Sequence, residues 1–296
     1  MPAQRLLDPA VLSRISTIEL VARTVVDGFV AGLHRSPYFG FSQEFAEYRP
    51  YVPGDDPRFV DWNVFARTER TYLKRFLGET NTALVLVFDA SASMGFRSKG
   101  VSKIEYARFL TASLAYMALH QHDAVSLIIF DEKVRRYLPP STRPGQLHGL
   151  LHAIEQAQPA TKTDIDQPFE HFRRFHTKRS LVAVISDFYF APDRLLKAVR
   201  PLCYHGNDVI LFHVLDPGEL NPQLSDSALL EDMETGERME VAPEYAQTEY
   251  RRLIQTHIDD LRREARGSGA DYLLLDTSRP LDSALKEYLT FRQRRM

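Results

Sequence analysis

From residue 83 onward the chain alternates short apolar runs with stretches whose apolar residues recur every three or four positions. Ala83-Leu84-Val85-Leu86-Val87-Phe88 is a continuous apolar run rich in β-favouring residues, which predicts a strand buried on both faces of a parallel sheet. The same texture predicts strands at 124–130, 181–186, 208–215 and 271–275, with a shorter candidate at 133–138. Between them, helical spacing predicts helices over 103–121, 144–157, 166–176, 192–204, 244–266 and from about 281. In the first of these, Ile104, Ala107, Leu110, Leu114 and Met117 share one face. Gly267 is expected to end the 244–266 helix as a left-handed cap. Units of this length, strand then helix, predict an α/β fold: a doubly wound, mainly parallel six-stranded sheet covered on both faces.

The first 80 residues have a different texture. Val11, Leu12, Ile15, Ile18, Val21, Val25, Phe29 and Leu33 fall at helical intervals, predicting one amphipathic helix over 9–33. Residues 34–80 are rich in aromatics, Pro, Gly and charge, and predict short strands and ordered turns, with a strand at 72–77. Apolar stretches flanking Glu234-Thr235-Gly236-Glu237 predict a hairpin at 227–241. Residues 1–80 therefore read as an N-terminal helix plus a β-rich lobe, packed with the 227–241 hairpin, and residues 81–296 as the α/β domain. Neither a repeat nor a low-complexity linker separates them, so the junction near residue 80 lies within a compact body.

Composition narrows the function. Across 296 residues the formal net charge is −2, so nothing global argues for nucleic acid or an anionic membrane. The single Cys203 excludes an internal disulfide and a thiol-rich zinc cluster. The apolar runs are far shorter than the roughly 18 residues of a spanning helix, and no basic start followed by an apolar leader is visible. A cytoplasmic location is the expectation. His148 and His152 lack the Glu of a H-E-x-x-H zinc site, and neither a Walker phosphate loop, a G-x-G-x-x-G turn nor a G-x-S-x-G elbow occurs.

The candidate chemistry lies at the strand ends. The 83–88 strand runs into Asp89-Ala90-Ser91-Ala92-Ser93-Met94-Gly95, one carboxylate and two hydroxyls at alternate positions. In open α/β sheets, ligands bind beyond the carboxyl ends of the strands. One carboxylate with neutral oxygens suits a hard divalent cation, Mg2+ or else Mn2+ or Ca2+. The 181–186 strand ends likewise in Asp187, and Thr163-Asp164 sits in a polar stretch between the two. A metal site at strand ends is expected near the surface, contributing little to the core. These residues leave three readings open: a metal-dependent protein-interaction module, a metal-dependent phosphohydrolase or nuclease, and a structural protein whose degenerate site stays empty.

Asp89, Ser91, Ser93, Thr163 and Asp187 together resemble the metal-ion-dependent adhesion site of von Willebrand factor type A domains. That resemblance implies spatial strand order 3-2-1-4-5-6, with the 133–138 strand antiparallel at one edge, and an ion whose last position is filled by a partner's Glu or Asp. A second constellation precedes it: Gly40, Glu44-Phe45, Arg49, Tyr51, Gly54-Asp55-Asp56, Arg58, Asp61-Trp62, Ala66-Arg67 and Lys74. With Ile185-Ser186-Asp187-Phe188 and Asp216-Pro217-Gly218-Glu219 downstream, the chain closely resembles the bacterial domain of unknown function 58 family. The resemblance implies a non-enzymatic adaptor or co-chaperone working with a MoxR-type AAA+ ATPase. Where the family usually has a Gly pair before the Thr-Asp step, this chain has Thr161-Lys162, which adds bulk and positive charge. Lys162 and Asp164 are candidate partner-binding residues beside Thr163. The N-terminal charges, near balance in sign and interleaved with aromatics, read first as a hydrogen-bonded network fixing that segment against the sheet and second as a partner-binding surface.

Overall fold

The structure, a computed structural model, describes residues 8–33, 45–52, 60–76, 83–160, 162–176 and 179–293. The chain opens with α1 (Pro9–Leu12) and α2 (Ile18–Leu33), then β1 (Phe45–Pro50), α3 (Trp62–Thr68) and β2 (Tyr72–Phe76). The alternating part follows: β3 (Ala83–Asp89), α4 (Lys103–His120), β4 (Val125–Phe130), β5 (Val134–Ser141), α5 (Gln146–Gln156) and α6 (Asp166–Phe175). It continues with β6 (Ser180–Ser186), α7 (Pro192–Tyr204), β7 (Asp208–Leu215), α8 (Pro217–Leu220) and the hairpin strands β8 (Ala228–Glu231) and β9 (Arg238–Val241). A short α9 (Pro243–Tyr245) leads through a π-helical turn at Ala246–Tyr250 into α10 (Arg251–Ser268), β10 (Asp271–Asp276) and α11 (Asp282–Gln293).

Six strands form one sheet in the order β10-β7-β6-β3-β4-β5. Counted along the chain this is the 3-2-1-4-5-6 order the resemblance implies. Every neighbouring pair is parallel except β4 with the edge strand β5. Central β3 sends alternate side chains to opposite faces, as the pleat requires. Leu84, Leu86 and Phe88 join the core beneath α2, α4, α5 and α11, while Val85 and Val87 join the one beneath α6, α7 and α10. All five are at most 2% exposed, each contributing on the order of 1.5–3 kcal/mol for a side chain of this class. Helix α4 is buried on nearly all sides because α2 packs over it from outside, which explains its Ala, Thr and Ser positions that break a simple amphipathic stripe.

Three expectations change. The 9–33 helix is two helices: Asp8 accepts from Ala10 N at 2.9 Å to start α1, and Thr17 Oγ1 accepts from Leu20 N at 3.3 Å to start α2. Polar residues between apolar positions here act as helix starts rather than as an exposed face. Within the expected β-rich segment lies a helix, α3, whose first turn is tied by Val64 N donating to Asp61 Oδ1 at 3.2 Å. Helix α10 runs through Gly267 and closes at Gly269, whose φ is +83°.

The N-terminal strand pair β1–β2 and the hairpin β8–β9 are separate two-stranded sheets. Among the described residues, no strand of one pairs with a strand of the other. The hairpin tip instead reaches the carboxyl end of the main sheet. Gly40, Glu44, Gly54, Asp55, Asp56, Arg58 and Thr161 lie outside the described residues. Among the described residues, no helix is long and apolar enough to cross a membrane.

Candidate metal and carboxylate site

The site sits where β3 and the neighbouring β6 end side by side. Asp89 closes β3 and is completely buried. Its Oδ1 accepts from Ser91 N at 2.8 Å and its Oδ2 accepts from Ser186 Oγ at 2.5 Å. Ser186 in turn accepts from Phe188 N at 3.0 Å, folding the chain tightly around Asp187. Phe188 has a φ of +49°, a left-handed conformation costly for a bulky side chain and found where a turn must aim a neighbour. Asp187 is also completely buried. Both carboxylates lie deeper than a surface site, against the expectation from their strand-end positions.

Burial and, next, the charge of Asp187 push the Asp89 carboxyl up to about 7, against the pull of its hydrogen bonds from Ser186 and Ser91. Two desolvated carboxylates this near each other call for a cation. One is built in. Lys103, buried at the first turn of α4, places its Nζ 2.7 Å from Asp187 Oδ2 and 2.6 Å from Glu219 Oε1, with the Tyr189 ring 4.7 Å away. Burial works against its charge, but Asp187 and Glu219 together more than offset this and hold Lys103 above the ordinary lysine value. The lysine satisfies only one oxygen of Asp187. Among the described residues no protein donor reaches the buried Oδ1 of Asp187, which leaves this carboxylate oxygen able to accept from a further partner.

Two helix starts position this lysine. Ser102 and Glu105 form a reciprocal capping box at α4: Ser102 N donates to Glu105 Oε2 at 2.9 Å while Glu105 N donates to Ser102 Oγ at 3.4 Å. Asp216 and Glu219 form a second box at α8, Asp216 N donating to Glu219 Oε2 at 2.8 Å. The Asp216-Pro217-Gly218-Glu219 run is thus a capped turn that leaves Glu219 Oε1 for Lys103. Asp216 also accepts from Ser98 N and Ser98 Oγ, tying this turn to the loop after Ser93.

Above the carboxylates, Ser91 Oγ and Ser93 Oγ are 3.1 Å apart. Ser93 Oγ donates to Glu234 Oε1 at 3.2 Å, and Thr163 Oγ1 donates to the same oxygen at 3.0 Å. Asp89, Ser91, Ser93, Thr163 and Asp187 are therefore brought to one place. Lys162 is exposed beside them. Asp164 turns elsewhere: its Oδ1 meets Arg194 at 2.7 Å and accepts from Asp166 N at 3.2 Å, anchoring the start of α6. Sequence reasoning missed Lys103, took Ser186 and Glu219 only as parts of motifs, and took Glu234 only as part of a hairpin turn. For Lys103 and Glu219 the S-x-x-E and D-x-x-E capping spacings were the available signal; for Glu234 there was none beyond its hairpin turn.

The donor set fits a hard divalent ion. Its oxygens are hydroxyl and carboxylate, one carboxylate oxygen is buried and unpartnered, and each hydroxyl has lone pairs beyond the proton it donates. Among the described residues, no three or more His, Cys, Asp or Glu side chains converge as a metal-holding group. An ion here would rely on the hydroxyls beside the aspartate pair.

The sheet order, with its antiparallel edge strand and helices on both faces, defines an α/β protein of von Willebrand factor type A-like fold. The chain belongs to the family described as "Protein of unknown function DUF58", whose model matches residues 47–264. It is 27% identical over 292 residues to "Uncharacterized protein Mb1516" of Mycobacterium bovis, covering 97% of this chain and 91% of that one. Among solved structures it is similar to the conserved hypothetical protein BatB from Bacteroides thetaiotaomicron, with TM-score 0.49 and 16% identity over 72% of this chain and 98% of that one. It is also similar to the SpRpn10 VWA domain, with TM-score 0.43 and 11% identity over 69% of this chain and 93% of that one.

Proposed function

We propose that this protein is a non-enzymatic, metal-dependent protein-interaction module, an adaptor or co-chaperone that engages an acidic side chain of its partner through a bound Mg2+ or Mn2+. The observation that carries this is the buried, unpartnered Oδ1 of Asp187 beside a second buried carboxylate and a cluster of hydroxyls. Ser91, Ser93 and Thr163 would hold the ion directly. Asp89 and Asp187 would balance its charge, directly or through water. Neutral hydroxyls leave the ion's charge uncancelled on the side facing solvent, so an incoming carboxylate is attracted there. The family resemblance puts forward a MoxR-type AAA+ ATPase as the partner.

Calorimetric titration with Mg2+ and Mn2+ tests the site. Binding to the wild type is expected, weakened by about 10–100-fold or more in Asp89→Asn, which keeps the side-chain shape while removing its charge. The partner is sought by pull-down with a MoxR-type ATPase in Mg2+, with capture lost in EDTA and restored by Mg2+. Unchanged metal affinity in Asp89→Asn would reject the assignment. Metal-dependent turnover of phosphate esters or nucleic acid, abolished in the same variant, would replace the adaptor with an enzyme.

A further inference from the structure

The β8–β9 hairpin carries an arrangement that the metal reading does not require. From Leu229 to Glu240 every side chain is exposed except that of Glu234. Leu229 is 64% exposed and Met239 54%, so the arm projects with apolar side chains in solvent and sinks one carboxylate into the body. That carboxylate lands on the candidate ion ligands. Its Oε1 accepts from Ser93 Oγ and Thr163 Oγ1, and its Oε2 accepts from Thr163 N at 3.1 Å. The residues that meet are 141 and 71 positions apart in the chain, so the contact is a product of docking and not of local turn geometry.

The tip is shaped for this. Asp232 Oδ1 accepts from Glu234 N at 2.7 Å and Thr235 N at 2.9 Å, and Gly236, at φ +73°, closes the turn. Those backbone bonds, chiefly from Thr235, hold the Asp232 carboxyl below its ordinary range, and the nearby Lys162 charge adds to the effect. Met233 overhangs the turn after Ser93: a Cβ built on Gly95 would lie 3.5 Å from Met233 Cε. The arm is therefore docked mostly by polar contacts at its tip, a kind of attachment that opens locally at low cost.

We infer that Glu234 is the chain's own carboxylate at this site, occupying the place from which a partner's acidic side chain would engage the ion, so that the 228–241 hairpin must swing aside before a partner binds. Each hydroxyl can give its proton to Glu234 and a lone pair to a cation at once, so the ion and the arm reinforce one another. The inference rests on the proposed metal site, and the experiment separates the two. Hydrogen exchange of the full chain is followed by mass spectrometry with and without Mg2+, alongside calorimetry, for the wild type and Glu234→Gln. In the wild type Mg2+ is expected to slow exchange over 229–240 by about tenfold relative to α10. In Glu234→Gln that protection should vanish and Mg2+ affinity should fall by about tenfold. Mg2+ binding to the wild type with no added protection of 229–240, or equal protection and affinity in Glu234→Gln, would overturn the role of Glu234 and leave the metal site standing. No Mg2+ binding to the wild type would overturn both.

Discussion

Lys103 is the residue on which the site depends when no metal is bound. Its ammonium is wholly buried and neutralises part of a cluster that otherwise contains Asp89, Asp187 and Glu219. Removing one partner of a buried ion pair leaves an uncompensated charge and costs about 3–5 kcal/mol. Lys103→Met, close in length and apolar, is therefore expected to lower unfolding stability by about that amount in urea denaturation. A loss below 1 kcal/mol would show that water reaches the cluster and supplies the missing compensation. The sign of the pH dependence also follows. Because the folded state holds Lys103 above its ordinary value of 10.5, its contribution is complete at neutral pH. It is lost only as pH rises past that value.

At the scale of elements, short capping motifs aim the chemistry. The S-x-x-E start of α4 and the D-x-x-E start of α8 bring Lys103 and Glu219 together from positions 116 residues apart. The end of α10 shows how a two-residue shift in a cap is decided. Gly267 and Gly269 look equally suited in sequence, yet only Gly269 has positive φ, at +83°, because the helix needs one more half-turn before β10 enters the sheet. Opposite responses are expected. Gly269→Ala should destabilise by about 1–2 kcal/mol, since an L-residue is strained there. Gly267→Ala, in open space within the helix, should be neutral or stabilising by up to about 1 kcal/mol. Thermal or urea unfolding of the two variants decides it, and equal losses would place the cap elsewhere.

At the scale of the whole molecule, the sheet places two carboxylates at the ends of β3 and β6, a lysine from α4, a threonine from the α5–α6 loop and a hairpin glutamate around one point. An ion that binds this folded arrangement and not the unfolded chain stabilises it by mass action. At Mg2+ a hundredfold above the dissociation constant, linkage adds about 2.7 kcal/mol. The thermal midpoint of the wild type is accordingly expected to rise with Mg2+ and to fall back with EDTA, while the rise in Asp89→Asn at the same Mg2+ is clearly smaller, in line with its weaker binding. A wild-type midpoint indifferent to saturating Mg2+ would remove the ion from the folded state's energetics.

Much of this was legible in the chain. Continuous apolar runs marked the buried strands because a parallel sheet with both faces covered tolerates few polar side chains. Asp89, Ser91, Ser93 and Asp187 were legible because they interrupt such runs at the strands' carboxyl ends. The break of the first helix at Thr17 and the helix at Trp62–Thr68 were harder to read, since a capping hydroxyl or carboxylate looks in sequence like any exposed polar residue. Local pattern, through periodicity and motif spacing, determined which segments are strands and where the candidate ligands fall. Only the tertiary structure decided that Asp187 keeps one oxygen unpartnered, that Lys103 and not solvent meets the other, and that Glu234 closes the site. These depend on groups 71 to 141 residues apart becoming neighbours, and no local pattern in the chain encodes that proximity.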